Sequence, residues 1–333
     1  MKFVRLDNWA TGLVIGGTDA QILEIGANIP ALREKDAEAA ESISRVLPAD
    51  GSGSWVPMIE NWEKVRGSFK KLADIAKQGG KNVVSLSLAS VKLRPPLPSR
   101  HARIFALGGN NADHVKNIVK AITGETFPAE KFLQEKKDGI PPWGFQVLAD
   151  TVVGQGAPIT PPSGVQKFDY EGEIAVILKT GGHDAKAGDI GIWGYSAWND
   201  YSVRDARFGI GPAIHRGGLN WALEKNFDSG NACGPWMVVD EGIDLGNLRS
   251  QTRVNGKTMQ DWSTKDLIYG IDETAALISH YLTLKPGDMF ATGTGPGTAA
   301  ESGRDGDRWL KPGDRVEIEV EGAGILWNTI TKW

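Results

Sequence analysis

Phe168-Asp169-Tyr170-Glu171-Gly172-Glu173-Ile174-Ala175-Val176-Ile177-Leu178 is the segment from which the fold is read. Its second half, Ile174 to Leu178, is an unbroken apolar run, the pattern of a strand buried on both faces. Its first half carries carboxylates at alternate positions, 169, 171 and 173. Side chains two apart on a strand share a face, so the segment aims two or three acids at one spot at the mouth of a core. Like charges held that close repel and shift one another's pKa unless something positive sits between them. Two readings stand on the acids alone: a divalent cation held by hard oxygen ligands, or a polar strand end turned to solvent.

The surrounding chain has 333 residues, enough for two domains with a sizeable core. With 41% hydrophobic and 23% charged residues, its composition is that of a soluble globular protein. A net charge of -4 gives no electrostatic footprint for nucleic acid or for an anionic membrane surface. The N-terminus has no apolar signal core, and no apolar run approaches the length of a membrane span. One cysteine, Cys233, excludes an intrachain disulfide and a cysteine-based zinc site, and the thiol reads as buried and inert. The expected compartment is the cytoplasm. The 42 glycines, among many short strands, fit a turn-rich β architecture better than a helical bundle.

Working outward to the N-terminus, strands are expected at Lys2–Leu6, Gly12–Ile15 and Ala20–Ile25, with a turn at Gly16 to Asp19. Helices are expected from Pro30 to Leu47 and from Glu60 to Gln78, separated by a loop at Asp50 to Ser54. Ser87–Leu93 alternates as a strand, and Arg94-Pro95-Pro96-Leu97-Pro98 breaks it. The boundary is placed there: a small α+β domain over 1–94 and a catalytic domain over 95–333. In the second domain Ala102–Leu107 reads as a strand, followed by Gly108-Gly109-Asn110-Asn111 and a helix carrying His114. Those glycines lack the spacing of a dinucleotide fingerprint and the Lys-Ser/Thr of a P-loop, so they are not read as a phosphate cradle. Residues 120–146 read as an irregular, charged excursion or lid. A helix is expected from Ser202 through Arg207, a type I′ hairpin at Asn255-Gly256, and a helix from Asp272 to Leu282 with Asp272 as N-cap. Strands are expected at Met289–Thr292 and Arg315–Glu321. Trp143, Trp198 and Trp221 read as ordinary core residues, with the lining of an apolar substrate pocket or an interface as the alternative. His101, His183, His215 and His280 read as structural or surface residues.

In order along the chain stand Lys92-Leu93 and Pro95-Pro96, Gly109-Asn110-x-x-x-His114, Asp169-Tyr170-Glu171-Gly172-Glu173, Gly194-Tyr195, and Asn199-Asp200-x-Ser202-x-Arg204-Asp205. Then come Lys225-x-Phe227-Asp228, Gly234-Pro235-Trp236, Val254-Asn255-Gly256, Lys285-Pro286-Gly287-Asp288 and Thr292-Gly293-Thr294. From about residue 93 to the end, this order and spacing resembles the fumarylacetoacetate hydrolase family. The resemblance implies an α+β, β-rich fold, with a mixed β-sheet roll around the site and a small N-terminal α+β domain beside it. It also implies one Mg²⁺ or Mn²⁺ (Ca²⁺ as a stand-in in crystals) on Glu171, Glu173 and Asp200, with Asp169 left to orient its neighbours.

By the same resemblance Lys225 supplies positive charge to a developing enolate. Arg204 pairs either with a substrate carboxylate or, structurally, with Asp205 or the ligand strand. Gly293 and Thr294 meet the substrate carboxylate, and His114 is the general base. Many relatives place Glu three residues after this His; here that position is Asn117, and Asn111 stands where Tyr is frequent. Asn117 cannot accept a proton or stabilise an imidazolium by charge, so the expected His–Glu pair lacks its acid. The function implied is metal-dependent cleavage of a carbon–carbon bond in an acylpyruvate-like or 1,3-diketo acid through a metal-bound enolate. The alternatives are a dehydratase, decarboxylase or isomerase of a 2-oxo acid on the same scaffold, or a non-catalytic metal-binding protein. The expected partner is a small 2-oxo or diketo acid, with neither nucleic acid nor membrane, in a homodimer.

Overall fold

The computed structural model describes residues 1–16, 20–47, 53–210 and 223–333. The chain opens on strands β1 (Lys2–Leu6), β2 (Thr11–Ile15) and β3 (Gln21–Glu24), then enters helices α1 (Ile25–Lys35), α2 (Ala37–Val46), α3 (Val56–Glu60) and α4 (Trp62–Lys77). Strands β4 (Ser85–Ser87) and β5 (Leu93–Arg94) lead to β6 (Ile104–Gly108), α5 (Ala112–Thr123), α6 (Glu130–Lys137) and β7 (Trp143–Val147). Short strands β8 (Val152–Val153), β9 (Pro158–Ile159) and β10 (Phe168–Asp169) precede β11 (Gly172–Leu178), β12 (Ile192–Asp200), β13 (Ser202–Val203) and β14 (Asn231–Val239). The hairpin β15 (Arg249–Val254) and β16 (Lys257–Ser263), helix α7 (Ile271–Tyr281), and strands β17 (Met289–Ala291), β18 (Arg315–Val320) and β19 (Gly324–Ile330) complete it.

A large mixed sheet carries the order β4-β3-β2-β1-β14-β12-β11-β17-β6-β7, with β5 beside β1 and β8 beside β14. Pairing is parallel between β17 and β6 and between β14 and β8, and antiparallel elsewhere along the path. A five-stranded sheet, β16-β15-β18-β19-β9, packs against it, and β10 pairs with β13. The β1–β14 pairing carries the large sheet across the proline-rich segment, so the N-terminal strands share it with the strands that hold the acids. This is the expected α+β, β-rich architecture of mixed sheets.

The apolar run of β11 has a simple cause. Ala175 and Ile177 enter a core beneath the helices, with Phe3, Trp55, Trp62, Phe69 and Trp193. Ile174, Val176 and Leu178 enter a second core shared with Val316, Ile318 and Leu326 of the five-stranded sheet. A strand covered on both faces has no position for a polar residue until it reaches its end, and there the acids begin. No helix among the described residues is long and apolar enough to cross a membrane.

Several local expectations are corrected. The 168–178 segment is two strands in two sheets rather than one, parted at Tyr170-Glu171. The break is held by side chains: Asn199 Oδ1 accepts from Glu171 N at 3.0 Å and Gln260 Oε1 from Gly172 N at 3.0 Å. The expected helix 30–47 is two helices, because Asp36 leaves helical geometry and caps α2 by accepting from Ala39 N at 2.8 Å. Pro30 sits inside α1, which begins at Ile25 in place of the end of the expected third strand. Ser87–Leu93 is not one strand but a strand end, a 3-10 turn and β5.

The 120–146 excursion contains α6 and the start of β7. Ser202 to Arg207 is strand β13 followed by a 3-10 turn, not a helix. Gly270, not Asp272, caps α7, with Glu273 reaching back to its amide. The Asn255-Gly256 turn is as expected, with φ 49° and 80° at its two central residues. The turn at 16–19 and the loop at 50–54 lie partly outside the described residues, and His215 and Trp221 wholly so.

Gly172, between the two expected ligands, is required by space. A Cβ there would lie 2.1 Å from Thr252 Oγ1 and 3.0 Å from Ile318 Cδ1. Gly172→Ala is expected to destabilise the fold by about 1–3 kcal/mol, the usual cost of overpacking. It should be seen as a lower urea midpoint at unchanged slope.

Candidate metal centre and active site

Antiparallel register brings the acids together. Gly172 pairs with Asn199, and Asp200 N donates to the Glu171 carbonyl at 3.0 Å, which sets Asp200 opposite Glu171. One carboxylate oxygen from each of Glu171, Glu173 and Asp200 lies within 4.8 Å of the others, and all three residues are buried. Lys225 Nζ donates to Glu171 Oε2 and, at 2.7 Å, to Asp200 Oδ2. Arg204 donates through Nη2 to Glu171 Oε1 and through Nε to Asp169 Oδ2 at 3.2 Å. Asp169 also accepts from the amides of Ala299 (2.6 Å) and Ala300 (3.3 Å), so it ties Arg204 to the loop after β17. Arg204 thus pairs with the ligand strand. Asp205 instead accepts the Gln166 and Lys167 amides.

The charges are unevenly served. Burial alone would push Glu171 up, but Arg204, Lys225 and His114 outweigh it and hold its carboxyl below the ordinary range. Burial pushes Asp200 up to about 6 against the pull of Lys225. Burial, then the charges of Asp200 and Glu171, pushes Glu173 well above the usual carboxylate range. Asp169 is also raised by burial, with Arg204 opposing. Arg204 and Lys225 pair with Asp169, Glu171 and Asp200 but not with Glu173, and a divalent ion would supply the positive charge that Glu173 lacks. Asp200 Oδ1 is buried with no hydrogen-bond partner, a cost that a cation would remove. Hard oxygen donors, a balancing charge and an orphaned lone pair all fit a Mg²⁺- or Mn²⁺-type ion.

His114 is positioned by its own helix cap. Asn111 Oδ1 accepts from His114 N at 3.1 Å at the start of α5. Its ring reaches both sides of the site: Nδ1 is 2.6 Å from Glu301 Oε1, and Nε2 is 3.9 Å from Glu171 Oε1. The acid missing at position 117 is therefore present, supplied from the far end of the chain. Asn117 Nδ2 donates to Glu301 Oε2 at 2.9 Å and Gly297 N to Oε1 at 3.0 Å. The pair left without its acid at position 117 is completed by Glu301 on that geometry. Glu301 had no local signal beyond a lone acid after Thr298-Ala299-Ala300. Gln260, which helps hold the strand break, has no such signal either, and Asn199 stands in the Asn199-Asp200 motif without an assigned role.

Gly293 and Thr294 lie behind the acids. Gly293 N donates to Glu173 Oε2 at 3.0 Å. Thr294 Oγ1 donates to the Gly172 carbonyl at 2.8 Å and accepts from Gln260 Nε2 at 2.8 Å. In this arrangement both support the ligand strand, and a hydrogen bond from the Thr294 hydroxyl to a substrate carboxylate would require it to leave Gly172. Asn110, in the segment tested as a phosphate cradle, is spent on backbone atoms of Tyr269 and Thr292. Cys233 is fully buried and burial pushes its thiol up to about 12, so it is inert at neutral pH. Among the other histidines, His280 pairs with Asp184 on the surface. Trp198 is core. Trp143 borders a cavity of about 400 Å³ that opens onto His114, Glu171, Asp200, Arg204 and Lys225.

Comparison with known proteins agrees with this geometry. The family model for the fumarylacetoacetate (FAA) hydrolase C-terminal region matches residues 103–331. An uncharacterised protein of Archaeoglobus fulgidus is 32% identical over 279 residues, covering 82% of this chain and 94% of its own. The oxaloacetate tautomerase YisK of Bacillus subtilis is 29% identical over 284 residues, 84% of this chain and 86% of its own. Among solved structures, a maleylpyruvate hydrolase from Sphingobium sp. SYK-6, in complex with manganese(II) and pyruvate, is similar at a TM-score of 0.68. It covers 100% of this chain and 99% of its own at 21% identity, a likeness of fold.

Proposed function

Because this chain belongs to the fumarylacetoacetate hydrolase family of enzymes, as its match over residues 103–331 establishes, we propose that it catalyses keto–enol isomerisation of a small 2-oxo acid. The observation that carries the reading is the 2.6 Å pairing of His114 Nδ1 with Glu301, beside the three acids. An ionised Glu301 accepts the Nδ1 hydrogen, which leaves the lone pair of the neutral ring on Nε2. There His114 takes a proton from carbon 3 of the substrate. The C–H electron pair becomes the carbon 2–carbon 3 double bond, and the carbonyl pair moves onto oxygen. The ammonium of Lys225 meets that charge. His114 then returns the proton to the oxygen, giving the enol, and the reverse sequence gives the keto form. Glu171, Glu173 and Asp200 would hold a Mg²⁺ or Mn²⁺ ion, which would supply Lewis acidity to the bound 2-oxo acid. The relatives named as oxaloacetate tautomerases support this reaction class.

The second reading is hydrolysis of a carbon–carbon bond in an acylpyruvate-like or 1,3-diketo acid. The same His114–Glu301 pair favours it, since a base backed by a carboxylate also suits activation of water. The maleylpyruvate hydrolase of similar fold supports it as well. The two readings separate on one substrate, 2,4-dioxopentanoate, with Mg²⁺. Faster relaxation of the enol absorbance to its equilibrium value, without release of pyruvate, is the expected result. Stoichiometric pyruvate would replace isomerisation by hydrolysis. We further propose a homodimeric, cytoplasmic enzyme whose catalytic residues lie within 95–333; sedimentation of the full chain tests the dimer.

The metal assignment has a readout independent of turnover. Mg²⁺ or Mn²⁺ at a hundredfold excess over its dissociation constant should stabilise the fold by about 2.7 kcal/mol, a rise of several degrees in melting temperature. Glu173→Gln should lose most of that rise. An undiminished rise in the variant would remove Glu173 from the ligand set.

A further inference from the structure

The cavity over the acids is not built for a small polar molecule. Val115, Ile118, Val119 and Ile122 follow one face of α5 at helical spacing. Such a stripe is ordinarily the part of a helix that packs into a core, yet the buried residue of α5 is His114; Ile118 packs in part against the second core, and all four stripe residues border the cavity. Further along the wall stand Phe132 of α6 and Phe145 of β7. Ile122, Ile140 and Trp143, each bordering the same space, are 38%, 50% and 42% exposed. Large apolar side chains left this open around one cavity mark a surface meant to be covered.

The charged groups are segregated. His114, Glu171, Asp200, Arg204 and Lys225 touch one another where the acids lie, and Arg207, which also borders the cavity, stands at that same end in the field of Arg204 and Glu171. Away from them the cavity meets Lys136, whose ammonium already serves Glu273 at 2.7 Å and the Ile268 carbonyl at 2.6 Å. It also meets Glu135, which would repel a second carboxylate. Its volume of about 400 Å³ lies in the range that encloses most of a ligand larger than a four-carbon diacid.

Resting on the reading of the site as a 2-oxo acid centre, we infer that the substrate is a 2-oxo acid with an apolar tail. An alkyl or aryl group, rather than a second carboxylate, extends from the reacting carbons along the α5 face. The acid head is recognised at the charged end, and the tail supplies binding energy through burial against Val115, Ile118, Val119 and Phe145.

The test is a calorimetric binding series on the Mg²⁺-loaded protein: oxalate as head group alone, then 2-oxobutanoate, 2-oxohexanoate and 2-oxooctanoate, with 2-oxoglutarate as the dicarboxylate. Affinity should rise between about two- and fourfold per added methylene, as burial of one CH₂ implies. In Ile118→Asn the dependence on chain length should flatten within the variant's own series. Mg²⁺-dependent binding of oxalate with a flat series, or 2-oxoglutarate tighter than 2-oxohexanoate, would overturn the apolar tail while leaving the 2-oxo acid reading in place. Failure of oxalate and of every 2-oxo acid in the series to bind would overturn both.

Discussion

His114→Asn is expected to slow isomerisation by about 10²- to 10⁴-fold, the usual worth of a positioned general base. The Mg²⁺-induced rise in melting temperature should persist, because His114 is not among the three carboxylates proposed to hold the ion. Glu301→Gln should come within an order of magnitude of the same loss. A glutamine amide at 2.6 Å from Nδ1 can donate to it, which moves the ring hydrogen to Nε2 and removes the base. The double variant should be little worse than either single one, since groups that act as a unit are not additive. Asn117→Ala, which leaves Glu301 its contact with Gly297 N, should cost far less. Steady-state rates by enol absorbance check all four. Rates for His114→Asn and Glu301→Gln within threefold of the parent would remove this pair from the chemistry.

Lys225→Met carries the second large effect. The ammonium is buried and shared between Glu171 and Asp200. A preorganised charge at a developing oxyanion is worth about 10²- to 10³-fold in kcat, so a loss of that size is expected, mostly in kcat rather than KM. Stability should respond in a metal-dependent way. Breaking a buried ion pair by removing one partner costs about 3–5 kcal/mol. Without Mg²⁺ the variant should melt well below the parent, and saturating Mg²⁺ should close much of the gap by neutralising the same carboxylates. Equal gaps with and without the ion would mean that Lys225 and the ion do not share these ligands.

These residues differ in how they could be read from the chain. That Glu171 and Glu173 share a face was legible in strand periodicity, which picks out Asp169 equally; Asp200 was joined to them only through the family resemblance, and the antiparallel register of β11 and β12 brings the three together. The central place of β11 was legible in the unbroken run 174–178, since two cores claim its alternate residues. Glu301 was not, because its partner lies 187 residues away and the loop after β17 alone delivers it. Attention to position 117 in fact pointed at a residue that holds the acid rather than replaces it. The break at Tyr170-Glu171 was hidden for a similar reason: Asn199 and Gln260 make it from other strands. Helix α6 escaped notice because its charged sequence has no buried face to give it a period. The α1–α2 break rests on a single capping aspartate within an otherwise helical pattern.

The central claim is that His114 moves a proton at carbon 3 of a 2-oxo acid held over the three carboxylates. Deuterium uptake from D₂O into carbon 3 of 2-oxobutanoate, followed by proton NMR with Mg²⁺, tests it most directly. The account predicts uptake by the parent well above the buffer rate, and uptake at or near the buffer rate for His114→Asn. Equal uptake by the two proteins would contradict it.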